Sequence, residues 1–299
     1  MRYRSYFWPA VLILAGVVAL LVNTGAIPVD RLILLINLWP LILIVIGLEV
    51  IVRRTLHGAG AEVAAAAIVV LAIIGATAYV AVNPSPLATH EEDVKASLGA
   101  LKQASLEVDA GSASITVSSS DLGADLYHAH ISYPGPKPDV KLDTSTGELS
   151  ISQRSNSPFG LEAGRFSLTI QLNSGIPWTI SENTGSSHDT INVLQLKVSR
   201  IEINTGASLE DLTLGPPAGI VPVEINGGAL TVHVHRVSGT EASISVSGGA
   251  VSLNADGHSS HGIGDLHYES AGFSGASDGY KIEVNGGAST VTLDSIGLD

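Results

Sequence analysis

The sequence predicts an N-terminal α-helical transmembrane region followed by an all-β repeat domain, a β-helix-like stack of strand-turn-strand units. Two observations support this. The composition changes near residue 83: five Lys or Arg and three Asp or Glu precede that point, and ten and 25 follow it. A short pattern of apolar, polar and glycine residues also recurs through the acidic part. The predicted boundaries are a membrane region over 1–82, a linker over 83–94 and a β-repeat domain over 95–299.

Three long apolar stretches predict membrane-spanning helices over about 6–27, 32–52 and 63–82. A bilayer core about 30 Å thick is crossed by roughly 20 apolar residues in a helix. The first two stretches share a duplicated motif, WPAVLILAG at 8–16 and WPLILIVIG at 39–47. A cleavable signal peptide has no reason to be duplicated in the mature chain, so an uncleaved first span is favoured.

The arginines of the membrane region predict its orientation. Arg2 and Arg4 precede the first span, and Arg53 and Arg54 follow the second. Short loops rich in Lys and Arg stay in the cytoplasm, so a multi-pass protein with an extracytoplasmic β-domain is predicted. The alternative is a re-entrant segment over 39–52, which would reach only about 21 Å as a helix and would reverse the side of the β-domain.

The β-domain contains six copies of one seven-residue pattern. Their glycines are Gly111, Gly185, Gly206, Gly228, Gly249 and Gly287, in LEVDAGS, ISENTGS, IEINTGA, VEINGGA, ISVSGGA and IEVNGGA. The four from Gly185 to Gly249 are spaced by 21, 22 and 21 residues. Such a period predicts stacked units, each unable to bury its apolar face alone.

Each unit reads as a strand, a tight turn and a second strand. Asn followed by Gly is expected to supply the positive φ angles of the turn. We therefore expect one polar column across the stack, formed by Asn204, Asn226, Ser247 and Asn285. In the second strand the aligned sets are Ala207, Glu210 and Leu212, then Ala229, Val232 and Val234, then Ala250, Leu253 and Ala255.

The histidines of this domain are predicted to face solvent. If Val232 and Val234 point inward, His233 and His235 point outward, and the segment YHAHISY places His128 and His130 outward in the same way. Two such pairs could chelate a transition metal only if they were brought together. A solvated strand face is favoured, no metal or cofactor is predicted, and DGHSSHGIGDLH at 256–267 is interpreted as an outer loop.

No catalytic residues are predicted. The chain lacks Cys, and it contains no G-x-S-x-G elbow, Walker loop or H-E-x-x-H motif. An acidic β-domain also argues against nucleic acid, whose phosphates require Lys and Arg. Glu202 and Glu224 are expected to be neighbours in adjacent units, with Arg200 as an ordinary ion-pair partner.

The two Trp-Pro segments ending at Gly47 resemble the membrane region of LiaF-type proteins. The segment IPWTISENTGSSHDTINVLQLKVSRIEINTGASLEDLTL (176–214) resembles the toastrack domain, a one-sided stack of β-strands. This resemblance implies a role in bacterial envelope stress, commonly beside a membrane histidine kinase, and it supplies no catalytic residues. Three spans are predicted here, whereas many relatives have four. The number of spans decides on which side of the membrane the β-domain lies.

Two function classes follow. The first is a non-enzymatic membrane sensor or regulator of envelope stress, with the lipid bilayer and a membrane protein such as a histidine kinase as partners, and with self-association compatible with the stack. The alternative is an extracytoplasmic β-helix that binds polysaccharide, an adhesin or a lyase. A lyase needs clustered acids and a basic residue, for which Arg236 in VHVHR is the candidate.

Overall fold

The computed structural model describes residues 89–153 and 165–297. The predicted spans over 6–27, 32–52 and 63–82 lie outside the described residues, and within the described ranges no helix is long and apolar enough to cross a membrane. The described residues belong to one compact unit that begins at Thr89.

The described unit consists almost entirely of β-strands. They are β1 (Thr89–Ser97), β2 (Ala104–Ser120), β3 (Asp125–Pro134), β4 (Asp139–Asp143), β5 (Glu148–Ser152), β6 (Phe166–Asn173), β7 (Pro177–Val193), β8 (Lys197–Leu214), β9 (Ile220–Val237), β10 (Glu241–Ala255), β11 (His258–Glu269) and β12 (Gly279–Ile296). A 3-10 turn, Phe273–Gly275, precedes β12.

The first strand corrects the predicted linker, because residues 89–94 belong to β1 rather than to a connecting segment. This strand pairs antiparallel with β3. Its acidic side chains find basic partners, with the Lys137 ammonium 2.6 Å from the Glu92 carboxylate and the His130 ring 2.8 Å from that of Asp93. The acidic residues that suggested a linker therefore pair with basic residues on β3 or just after it.

The strands form one sheet in the order β1-β3-β6-β2-β7-β8-β9-β12-β10-β11, with β5 and β4 beside the first half of β2. Six neighbouring strands, β2, β7, β8, β9, β12 and β10, run parallel and in register. Antiparallel strands lie at both ends of the sheet. In space β12 lies between β9 and β10, so the last two copies of the repeat exchange places relative to their order in the chain.

Each long strand must bend sharply near its middle. An 18-residue strand such as β8 would extend about 60 Å if straight. The connection from Val193 to Lys197 can span at most about 14 Å, yet β7 and β8 lie side by side and parallel. The strand therefore folds back on itself as two arms, and the core lies between them. In β8 the buried side chains before Gly206 include Ile203, and those after it include Leu212 and Leu214.

The bends correct the predicted turn geometry. Each repeat is one continuous strand, and none of the six pattern glycines has a positive φ. Glycine is needed there because neighbouring backbones approach closely. A Cβ on Gly206 would lie 2.5 Å from the carbonyl oxygen of Gly185, and one on Gly228 would lie 2.8 Å from that of Gly206. In-register stacking thus requires a residue without a side chain at these bends.

The predicted polar column is confirmed. Asn204 pairs in register with Asn226, Asn226 with Asn285, and Asn285 with Ser247. The asparagines bond to one another across the strands: the side-chain amides of Asn226 and Asn285 donate to Oδ1 of Asn204 and Asn226 at 3.0 Å. The column is therefore a hydrogen-bonded ladder along the sheet.

The predicted inward and outward faces of β9 are also confirmed. Val232 and Val234 are buried, whereas His233 and His235 point outward and are half-buried between neighbouring strands. The His235 ring contacts the Asp294 carboxylate, which accounts for its partial burial.

We expect Gly206→Ala to destabilise the domain by about 1–3 kcal/mol, because its Cβ would meet the backbone of the adjacent strand. Gly111→Ala is the matched control, since a Cβ there has no neighbour within 4 Å. Urea unfolding of the full-length protein in detergent, followed by tryptophan fluorescence, measures both variants. Equal destabilisation by the two variants would contradict the close-approach explanation.

We expect Val234→Asp to lower the free energy of unfolding by several kcal/mol, because the new carboxylate would be buried without a partner. His233→Ala, on the outward side of the same strand, should cost little. The same unfolding measurement compares them, and a larger loss for His233→Ala would contradict the assigned faces.

Candidate functional site

Three carboxylates lie together inside the stack. Glu182 and Asp189 come from β7 and Glu210 comes from β8, and each is 0% exposed. One oxygen from each carboxylate lies within 4.8 Å of the others. These three side chains, called here the buried acid cluster, are the most unusual chemical feature of the described residues, because carboxylates are almost never fully buried without a partner.

The strand register places each acid where neighbouring strands carry an apolar residue. Glu182 lies between Val108 of β2 and Ile203 of β8. Asp189 pairs with Ile115 on one side and with Glu210 on the other, and the next residue in that row is Val232.

The cluster joins the two arms of the bent strands. Glu182 precedes the bend at Gly185, whereas Asp189 follows it, and Glu210 follows the bend of β8. The carboxylate of Glu182 therefore meets the other two across the core.

The oxygens of the cluster have few hydrogen-bond donors. Asp189 Oδ1 accepts the backbone N–H of Ile115 at 3.2 Å. Seven buried oxygens at this place have no hydrogen-bond partner among the described atoms: both carboxylate oxygens of Glu182, both of Glu210, Oδ2 of Asp189, and the hydroxyls of Ser187 and Ser208. Native proteins rarely leave buried polar atoms unpaired, so seven in one place require an explanation.

Burial shifts the protonation of the whole cluster. Removal from water raises the pKa of Glu210 to about 8, and the charge of Asp189 adds to this effect. The pKa of Glu182 is raised well above its usual range by burial, then by the charges of Asp189 and Glu210. The pKa of Asp189 is also raised by burial, with the hydroxyl of Ser187 acting in the opposite direction. Ionisation of these acids therefore opposes folding unless a cation compensates it.

The outer face of the same strands carries ordinary ion pairs. Glu202 and Glu224 are neighbours, as predicted, and Arg200 contacts both: its Nε lies 3.3 Å from Glu202 and its terminal nitrogen 2.8 Å from Glu224. Lys281 pairs with Glu283 at 2.6 Å. These contacts neutralise a row of like charges and form no reactive group.

The two histidine pairs remain apart. One pair lies on β3 and the other on β9, and four strands separate these in the sheet. His128 and His130 bind the carboxylates of Asp125 and Asp93 at 2.7 and 2.8 Å. The two pairs therefore lie apart in the described sheet.

The segment 256–267 corrects a second prediction, because most of it forms the end strand β11 rather than an outer loop. Asp256 and Gly257, with φ values of +47° and +83°, make the hairpin turn from β10. The apolar-polar alternation of Leu266, His267 and Tyr268 favours a strand, but the glycines and histidines before it concealed it.

Arg236 is held in a structural contact. Its side chain is buried, and its guanidinium binds the Asp256 carboxylate through two contacts of 3.0 and 2.8 Å. The Tyr268 hydroxyl donates to the same carboxylate at 2.8 Å. Arg236, with Tyr268, holds the pKa of Asp256 below its usual value. Such a bidentate contact does not leave Arg236 as a free base.

The buried acid cluster was not predicted, although the sequence carries signals for it. Glu210 aligns with Val232 and Leu253 in the neighbouring copies, and Glu182 replaces the second apolar residue in the imperfect copy ISENTGS. Asp189 lies beyond the seven-residue pattern of that copy. The strand register brings Asp189 beside Glu210, and only the folding of the two arms brings Glu182 to them.

The cluster predicts a distinct pH dependence in the absence of divalent cations. The pKa of Glu210 in the folded state, about 8, exceeds the ordinary carboxyl value near 4.5, so the folded protein holds more protons between these values. The contribution of Glu210 to stability should be greatest below about pH 4.5 and be lost as pH rises through about 8. Glu210→Gln should flatten this profile in EDTA-containing urea titrations, and an unchanged profile would contradict the assignment.

The chain matches two known domain families. Residues 7–88 match the LiaF transmembrane domain, and residues 84–235 match the N-terminal domain of toast_rack, DUF2154. No curated protein matches the sequence of this chain.

A solved structure shows the same β-fold. A proposed cell adhesion protein from Clostridium sporogenes has a TM-score of 0.59 at 19% identity, over 70% of this chain and 100% of that chain. A proposed adhesin from Bacteroides fragilis has a TM-score of 0.34 at 12% identity, over 70% of this chain and 97% of that chain, which is too low to support an argument. The resemblance drawn from the sequence is thus confirmed by the family matches: this chain belongs to the family in which a LiaF transmembrane domain is followed by a toast_rack domain.

Proposed function

We propose that this protein is a non-enzymatic membrane regulator of a cell-envelope stress response, acting by binding to a membrane partner such as a histidine kinase. The observation that carries the proposal is that a LiaF transmembrane domain is followed in the sequence by a toast_rack β-stack. A β-stack of this kind offers broad faces and end strands for protein contact rather than a small-molecule cleft.

The end strand β11 supports a binding role. Among the strands that the structure describes, it pairs with β10 alone, and Ile263 on it is 87% exposed. A groove of about 670 Å³ lies beside it, lined in part by Ala229, Ala250 and Ile263. A strand edge with unpaired backbone groups can accept a strand from a partner, and neighbouring pockets can add specificity.

The alternative functions are adhesion or polysaccharide cleavage. The proposed adhesion role of the Clostridium sporogenes protein favours the first, although only the fold is shared at 19% identity. Cleavage is less well supported, because Arg236 is bound to Asp256 and the three clustered acids are buried. The LiaF domain favours regulation over both.

We propose that the protein is multi-pass, with a cytoplasmic N-terminus and an extracytoplasmic β-domain. The four arginines that flank the first and second predicted spans support this orientation. Protease added to intact spheroplasts should remove the β-domain. Full protection in intact spheroplasts, with digestion after lysis, would place the domain in the cytoplasm.

Deletion of the gene should shift the threshold at which envelope stress induces transcription. Gly228→Val should reproduce the deletion, because the new side chain would meet the backbone of Gly206 and disturb the stack. Gly111→Val is the control, since its Cβ enters open space. A transcriptional reporter compares the strains, and the two variants are expressed at equal abundance. An unaltered threshold in the deletion strain would contradict regulation, and cleavage of a cell-wall polysaccharide by the purified protein would establish the enzyme alternative.

A further inference from the structure

We propose that the buried acid cluster binds one Ca²⁺ ion inside the β-stack, with Glu182, Asp189 and Glu210 as charged ligands and Ser187 and Ser208 as neutral ones. This site goes beyond the proposed regulatory function and does not depend on it.

The number and spacing of the oxygens fit calcium. Ca²⁺ takes about 6–8 oxygen ligands at about 2.3–2.6 Å, so two ligands on opposite sides of the ion lie about 5 Å apart. The cluster supplies the seven unpaired oxygens described above, and its three carboxylates present oxygens within 4.8 Å of one another. One ion at their centre would satisfy groups that the protein itself leaves without partners.

Ser187 provides an observation independent of the acids. This side chain is only 5% exposed, and its hydroxyl has no hydrogen-bond partner of acceptable geometry. It is nevertheless close enough to act on the protonation of both Asp189 and Glu210, so it points into the cluster. Burying an unpaired hydroxyl beside unpaired carboxylates is costly, and a shared cation removes that cost.

The ligand chemistry selects a hard cation of this size. All the donor atoms are oxygens, which disfavours zinc and copper, whose usual ligands are nitrogen and sulfur. Mg²⁺ requires near-octahedral ligands at about 2.0–2.1 Å and usually keeps several waters. Carboxylates that are 0% exposed are poorly suited to a heavily hydrated ion.

Charge balance also favours a divalent ion. Three ionised carboxylates carry three negative charges, and the ion pairs of the described residues give none of them a Lys or Arg partner. His188 acts on Asp189 only at a distance. Without a cation the acids must keep protons, and binding of Ca²⁺ would release them. Affinity for Ca²⁺ should therefore rise with pH.

The position of the site defines its structural role. The ion would link β7 to β8 and would also hold the two arms of the bent strands together, because Glu182 lies on the opposite arm from Asp189 and Glu210. Neighbouring strands use Ile203 and Val232 at the corresponding positions, so an apolar core can fill the same space. The acids thus replace apolar packing with an ion-dependent contact.

The test uses the full-length protein in detergent, depleted with EDTA and then dialysed into buffer at pH 7.5 with CaCl₂, MgCl₂ or neither. We expect one bound Ca²⁺ per chain by elemental analysis and a higher melting temperature with Ca²⁺ than with Mg²⁺. Glu210→Gln should weaken Ca²⁺ binding at least tenfold. Glu224→Gln, an acid on the outer face, should leave binding unchanged.

A triple variant keeps the test decisive if the single substitution impairs folding. Glu182→Ile, Asp189→Ile and Glu210→Val together restore the apolar residues of adjacent strands, so this protein should fold and show no response to Ca²⁺. The proposal is overturned if the wild type, unfolded and refolded with Ca²⁺, holds no ion and melts at the EDTA temperature. It is also overturned if the triple variant retains the bound ion, or if Mg²⁺ stabilises the wild type as strongly as Ca²⁺.

Discussion

The close approach of parallel backbones at the bends is the constraint on which the rest of the domain depends. Carbonyl oxygens of one strand lie where a side chain of the next would begin, as at Gly185 and Gly206. This contact fixes the strands in register, because a shift by one residue would bring a Cβ against a carbonyl. Once the register is fixed, each side chain of one strand has a defined neighbour on the next strand, which either shares its chemical character or differs from it.

Different columns across the stack consequently have different chemistry. The asparagine column beside the bends is satisfied by hydrogen bonds between identical side chains. The inner columns are satisfied by apolar packing around residues such as Val232 and Val234. At Glu182, Asp189 and Glu210 neither solution applies, and the domain concentrates three costly groups at one point between its arms. Three buried acids at one point are typical of a ligand site, whereas isolated buried acids at separate points of the core would not be.

The sequence was sufficient to predict features that depend on local alternation. Val234 and His235 occupy opposite faces because the side-chain period of a strand is two, whatever its neighbours are. The position of Asn226 beside Asn204 followed from the repeat alone. The role of Gly228 could not be deduced, because a glycine required by a positive φ and one required by a neighbouring carbonyl look the same in a sequence. The segment 89–94 was taken for a linker because the partners of its acids lie on β3 or just after it, more than thirty residues away.

Spatial order was harder to predict than strand identity. The copies that contain Gly249 and Gly287 match the repeat pattern equally well. Nothing in their sequences shows that the later copy lies nearer to β9. The candidate site was missed for a related reason. Asp189 and Glu210 occupy one row, but Glu182 reaches them from the other arm, and a linear alignment contains no information about contacts across a core.

The most direct test of the in-register stack uses pairs of cysteines, since the chain contains none of its own. Asn226 and Asn285 are register partners on adjacent strands, at a spacing of about 4.8 Å that permits a disulfide. Asn226 and Ser247 are separated by β12 and lie about 10 Å apart, which does not. Oxidation followed by peptide mass spectrometry should show an intramolecular disulfide in the Asn226→Cys, Asn285→Cys protein and none in the Asn226→Cys, Ser247→Cys protein. A disulfide in the second protein and none in the first would contradict the strand order and register.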